Sequence, residues 1–202
     1  MIGIINYKAG NAPSVQNALQ HLGVPCCFVS SPDDLRTADG IILPGVGSAE
    51  ATMRSLRELS LIDALNEQVR VRHVPFLGIC VGLQILFEHS EEGDTDCLGW
   101  LKGGVLKFSD PSLRVPHIGW NEVTFSTASP LTASFPGHPY FYFVNSYYAV
   151  PEDNAVLLGR ADYGAPFCAA VQEDNIYATQ FHAEKSGQVG LMLLSNFAAL
   201  CG

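Results

Sequence analysis

Three short segments of this 202-residue chain hold residue types suited to acyl transfer. The first is Gly78-Ile79-Cys80-Val81-Gly82, a cysteine with a glycine two residues away on each side. It closes an apolar run from Val74 to Leu77 and opens a helix-like one from Leu83 to Phe87. A residue on such a tight strand-to-helix turn needs small neighbours, and its thiol faces a helix N-terminus that favours thiolate. A buried structural cysteine is the plainer alternative. The second segment is His182-Ala183-Glu184, just beyond a strand-like run. If it stays extended, His182 and Glu184 project to one side, as a base and its orienting carboxylate. A solvated loop pair is the alternative. The third is Pro44-Gly45-Val46-Gly47-Ser48, whose glycines let backbone N–H groups turn toward an anion. It could equally be a simple turn, and without a following Gly-Lys-Ser/Thr it is no phosphate loop.

These segments need a scaffold that brings them together. Strand-like runs at Gly3–Ile5, Cys27–Val29, Gly40–Leu43 and Pro75–Ile79 alternate with helical patterns at 14–22 and 49–71. That alternation predicts an α/β fold with a mostly parallel central sheet and helices on both faces. Ligands of such sheets bind at the carboxyl ends of strands, where Gly45 and Cys80 fall. Beyond Glu92 the chain turns rich in Pro, Gly and aromatic residues, with alternation at Val105–Phe108 and an aromatic run at Tyr140–Val144. Antiparallel strands added to the parallel core are expected there. Ile176–Thr179 reads as a last strand, and Ser186 as the cap of a C-terminal helix. With no repeat or linker, one domain spanning residues 1–202 is expected.

Composition narrows the partners. A hydrophobic content of 48% against 15% charged residues argues for a packed globule. With 11 basic residues and a net charge of −9, general nucleic-acid binding is not expected. No apolar stretch approaches a membrane span, and Met1–Asn6 reads as a first strand rather than a leader. Six cysteines without metal-type spacing suggest reduced thiols and a cytoplasmic protein.

Taken together, the motifs Pro44–Gly47, Gly78–Gln84 and Gln180–Ser186 resemble those of the class I (triad-type) glutamine amidotransferases. Val115–Asn121, Tyr140–Tyr148 and the opening Asn6–Asn11 are similar to the glutaminase subunits of imidazole glycerol phosphate synthase. The resemblance implies the flavodoxin-like fold of that class and a Cys80–His182–Glu184 triad that hydrolyses glutamine. It places the oxyanion hole at the backbone of Val46, Gly47 and Val81, and glutamine at Gln84, Glu92, Ser146 and Tyr147. It implies no cofactor or metal. It also implies a heterodimer with a (βα)8-barrel cyclase subunit, which receives the ammonia in histidine biosynthesis.

Five positions depart from the family pattern: Asn6 for Asp, Lys8 for Gly, Ala183 for Pro, and the Val81/Leu83 pair for Leu and Met. Loss of the proline leaves Glu184 less rigidly placed. The alternative reading keeps the hydrolysis but sends ammonia to another synthase, such as one that aminates surface sugars. A cysteine hydrolase or deglycase on a similar sheet leaves Gln84 and the Gln180–Ser186 run unexplained.

Overall fold

The computed structural model describes residues 1–7 and 11–202, so Lys8 lies outside the described residues. The first half runs β1 (Ile2–Ile5), α1 (Ala12–His21), β2 (Cys26–Val29), α2 (Pro32–Leu35), β3 (Gly40–Gly45), α3 (Ala49–Glu58), α4 (Leu61–Leu65), β4 (Phe76–Cys80) and α5 (Val81–Gln84). The strand-like and helix-like runs fall close to these elements. One long helix over 49–71 was expected, but the segment is broken. Ser60 adopts a left-handed φ of 56°, which ends α3 and restarts the chain as α4, followed by a π-helical turn over Asn66–Val71. The helix after Cys80 is also shorter than the apolar run suggests: α5 is one turn.

The second half adds short strands, β5 (His89–Ser90), β6 (Thr95–Asp96), β7 (Gly103–Lys107), β8 (His117–Glu122) and β9 (Thr124–Phe125). Longer ones follow: β10 (Tyr140–Asn145), β11 (Tyr147–Pro151), β12 (Leu157–Asp162), β13 (Pro166–Glu173) and β14 (Ile176–Thr179), before α6 (Gly187–Leu200). Among the described residues, twelve of the strands form one sheet in the order β2-β1-β3-β4-β14-β13-β11-β7-β5-β6, with β12 and β9 branching from β13. The block β2-β1-β3-β4-β14 is parallel throughout, and most later pairings are antiparallel. Strands β1, β3, β4 and β14 are buried at every position, as strands covered on both faces must be. The expected parallel core with added antiparallel strands is what forms.

This topology assembles the site. β4 carries Cys80 at its carboxyl end, and its two neighbours are β3 and β14. Gly45 pairs in register with Cys80, so the loop after β3 lies beside the cysteine. On the other side Thr179 pairs with Ile79, which delivers the 180–186 segment to the same edge. The separate hairpin β8–β10 packs its inner face, His117, Phe141 and Phe143, into the core. Phe141 stacks on Phe181 at 3.9 Å between centroids, anchoring the hairpin directly above the strand that leads to His182. Each fully buried phenylalanine of this kind contributes roughly 1.5–3 kcal/mol.

Candidate active site

Cys80 sits at the elbow with φ 57° and ψ −105°, a conformation rarely taken by a side-chain-bearing residue. Its neighbours explain how the turn closes. A Cβ on Gly82 would collide with the carbonyl oxygen of Leu43, and one on Gly78 with that of Gly82. The strands therefore approach closely enough to fix the elbow, and only glycine fits at either position. The cysteine is buried but lines a cleft of about 210 Å³ together with Gly47, Val81, Gln84, Glu92 and the 144–147 segment.

His182 meets Glu184 as expected, with Nδ1 2.8 Å from Oε1, and both side chains are almost wholly out of solvent. The route differs from the extended segment read from sequence. Ala183–Lys185 is a 3-10 turn, and the turn rather than strand alternation brings the pair together. Ser186 does not cap α6 with its side chain. Its hydroxyl instead donates to the His182 carbonyl at 2.6 Å and accepts from the Tyr142 amide at 3.0 Å. The His182 amide in turn donates to the Tyr142 carbonyl at 2.9 Å, so the histidine backbone is tied to β10 on both sides.

Burial opposes a charge on His182. Its hydrogen bond to Glu184, and the negative charge of Glu184 and of the neighbouring Cys80 sulfur, outweigh this and push it up to about 10. Burial likewise opposes the charge of Glu184, but the facing imidazolium prevails and holds it below the ordinary carboxylate value. The favoured state is a protonated histidine beside the sulfur, held by an ionised carboxylate. That is the form able to give a proton to a leaving amine.

Two residues steady this arrangement in ways sequence reading missed. Asn11, just before α1, turns its side-chain N–H to the site and caps no backbone N–H of its helix. Its Nδ2 donates to Glu184 Oε1 at 2.9 Å, while Ser14 donates to its Oδ1. Glu184 Oε2 has no hydrogen-bond partner among the described residues. Tyr7 is buried, with its hydroxyl accepting from Thr52 at 3.3 Å; burial pushes it up to about 12. A Cβ on Gly45 would come within 2.9 Å of that hydroxyl, so Tyr7 backs the glycine loop. An Asn before a helix is ordinarily an N-cap, and nothing in the sequence distinguished this one.

The remaining expected residues converge on the cleft. Gly47 (φ 104°) and Val81 line it, and Val46 lies one residue behind Gly47. Gln84 is buried and donates to the Tyr147 carbonyl at 3.0 Å and to Gln180 Oε1 at 3.1 Å. Glu92 is half-buried; desolvation raises it, opposed by a 2.9 Å hydrogen bond from the Ala49 amide at the start of α3. Rather than a free surface charge beside Glu91, it is a carboxylate fixed on the cleft wall. Ser146 and Tyr147 line the same wall, as does Asn145, whose buried Oδ1 finds no partner among the described residues. A larger concavity of about 650 Å³ lies elsewhere, around Asn121, Arg160 and Asp162. No cysteine or histidine reaches its wall, so chemistry rather than size selects the smaller cleft.

The family pattern for glutamine amidotransferase class-I matches residues 4–200. The chain belongs to the class-I glutamine amidotransferases. Within them, the amidotransferase is 48% identical to imidazole glycerol phosphate synthase subunit HisH of Herpetosiphon aurantiacus, over 99% of this chain and 94% of that one. It is 46% identical to subunit HisH 1 of Campylobacter jejuni strain 81-176, covering 99% and 100% of the two chains. These likenesses place the amidotransferase in the HisH family. The fold agrees with more distant structures. A crystal structure of a glutamine amidotransferase superposes with a TM-score of 0.79 at 20% identity, covering 100% of this chain and 98% of that one. PurLQS from Thermotoga maritima gives 0.76 at 19%, covering 97% and 96%.

Proposed function

We propose that this chain is the glutaminase subunit of imidazole glycerol phosphate synthase, with Cys80, His182 and Glu184 as its triad. The observation that carries the reading is the buried His182–Glu184 pair beside an elbow cysteine, opening on a cleft with a carboxylate and two amide side chains. Sulfur attacks the side-chain carbonyl carbon of glutamine, forming a C–S bond, while charge moves to the carbonyl oxygen. Backbone N–H groups of Val81 and the Val46–Gly47 loop face that oxyanion. His182 gives its proton to the departing nitrogen, the C–N bond breaks, and ammonia leaves. His182 then takes a proton from water, which attacks the thioester and releases glutamate. Glu92 and the oxygens near Gln84 and Asn145 suit the substrate's α-ammonium.

The product must reach an acceptor before it is protonated, which requires a covered exit. The outer face of the β8–β10 hairpin fits that need. Ile118 pairs with Val144 and Trp120 with Tyr142, and Ile118, Trp120 and Tyr140 are each more than half exposed. Val144 also lines the catalytic cleft, as does Pro116 just before β8, so this apolar face is continuous with the site. We read it as the docking face for a (βα)8-barrel cyclase subunit, which uses the ammonia to make imidazole glycerol phosphate and AICAR in histidine biosynthesis. The names printed for the 48% and 46% identical relatives favour that acceptor over a sugar-aminating synthase. Among the described residues no helix is long and apolar enough to cross a membrane. All six cysteines are free, in keeping with a reducing, cytoplasmic setting.

The test is chemical trapping. Acid quench of the chain turning over glutamine with its cyclase partner is expected to leave a γ-glutamyl thioester on the Cys80 peptide, read by mass spectrometry. Turnover with no adduct on Cys80, or with the adduct on another cysteine, contradicts the mechanism.

A further inference from the structure

We propose that Gln180 is a catalytic residue that donates a hydrogen bond to the Cys80 sulfur, with its orientation imposed by Gln84 and the Tyr147 carbonyl. Gln180 is wholly buried, and its Nε2 lies 3.6 Å from Cys80 Sγ. An amide side chain can face either way, so what matters is what fixes it. The chain of constraint starts at a backbone oxygen. The Tyr147 carbonyl can only accept, and it receives Gln84 Nε2 at 3.0 Å and Asn145 Nδ2 at 3.0 Å. Gln84 must therefore present its NH2 group there, and the second hydrogen of that group points to Gln180 at 3.1 Å. Gln180 then has to face Gln84 with its oxygen, which leaves its NH2 on the sulfur. Turning Gln180 over would set two NH2 groups against each other in a buried site.

A sulfur that must accept a hydrogen bond is better served as thiolate than as thiol, because bonds to charged acceptors are the stronger ones. Gln180 thus supplies a donor to the nucleophile from the side of the sheet that also carries His182. The relay begins in the 145–147 segment that lines the substrate cleft, so movement there reaches the sulfur through two amides.

The inference rests on the reading of Cys80 as nucleophile, and the test separates the two. Alkylation of the full chain by iodoacetamide is followed on the Cys80 peptide across pH, with the Cys26 peptide as internal reference. Gln180→Leu is expected to slow Cys80 alkylation about tenfold at pH 7, the lower end for losing a hydrogen bond to a charged group, with the deficit closing in alkali. Gln180→Glu keeps the shape, places a negative charge on the sulfur, and is expected to slow it further at pH 7. It also stands in should the leucine variant fail to fold, as judged by thermal unfolding. Wild-type rates at pH 7 in the folded variants, or a slowing equal at every pH, overturn the donor role. Wild-type ammonia release that survives complete Cys80 alkylation overturns the nucleophile reading, and this inference with it.

Discussion

His182→Ala is expected to lower kcat for glutamine hydrolysis in the cyclase complex by about 1,000-fold, with little change in KM. The magnitude is that of removing a positioned general acid–base group. KM is spared because the imidazole meets the reacting atoms, whereas the cleft wall of Gln84, Glu92, Asn145 and Tyr147 is left intact. The same substitution has a pH signature. His182 is raised from 6.5 to about 10 in the folded protein, so folding stabilises its protonated form. That stabilisation is complete below the unfolded value and is lost as the pH rises through the folded one. Wild type should therefore lose stability relative to His182→Ala between about pH 6.5 and 10, as read by urea unfolding. A KM rise as large as the kcat loss would move His182 from chemistry to binding.

Gly82→Ala is expected to damage the fold and the catalytic elbow together. The added Cβ would meet a backbone carbonyl, Leu43 on β3, and not a flexible side chain that can swing away. Relief requires β3 and β4 to part, although they are paired from Ile41–Phe76 to Gly45–Cys80. Overpacking of this kind costs about 1–3 kcal/mol, and here it also displaces Val81 N–H and the Cys80 sulfur. Loss of hydrolysis to background together with a lowered unfolding midpoint is the expected result. A comparison with Gly47→Ala is informative, because no atom lies within 4 Å of a Cβ there and the strain is confined to its positive φ. An unchanged melting point and full activity in Gly82→Ala would mean the elbow is looser than its geometry indicates.

Much of this was legible in the chain because strand alternation and turn residues report local structure. The parallel block, the elbow and the placement of Gly45, Cys80 and His182 at strand ends followed from apolar runs punctuated by glycine. The long pattern from Ala49 to Val71 failed as one helix because periodicity does not register a single left-handed residue, Ser60. The His182–Glu184 pair was expected for a partly mistaken reason. Spacing suggested alternation, while the 3-10 turn and Ser186, tied to Tyr142, set the geometry. Asn11 and Gln180 could not be assigned from sequence, because their roles are hydrogen bonds to residues 173 and 100 positions away. Residues that act through a partner distant in sequence leave no local pattern.

Release of ammonia from glutamine should be measured for wild type and Cys80→Ala, each with and without the cyclase subunit and its nucleotide ligand. Wild type is expected to hydrolyse glutamine most rapidly in the liganded complex, while Cys80→Ala falls to background in every condition and retains its unfolding midpoint. Ammonia release by folded Cys80→Ala at the wild-type rate would contradict the mechanism outright.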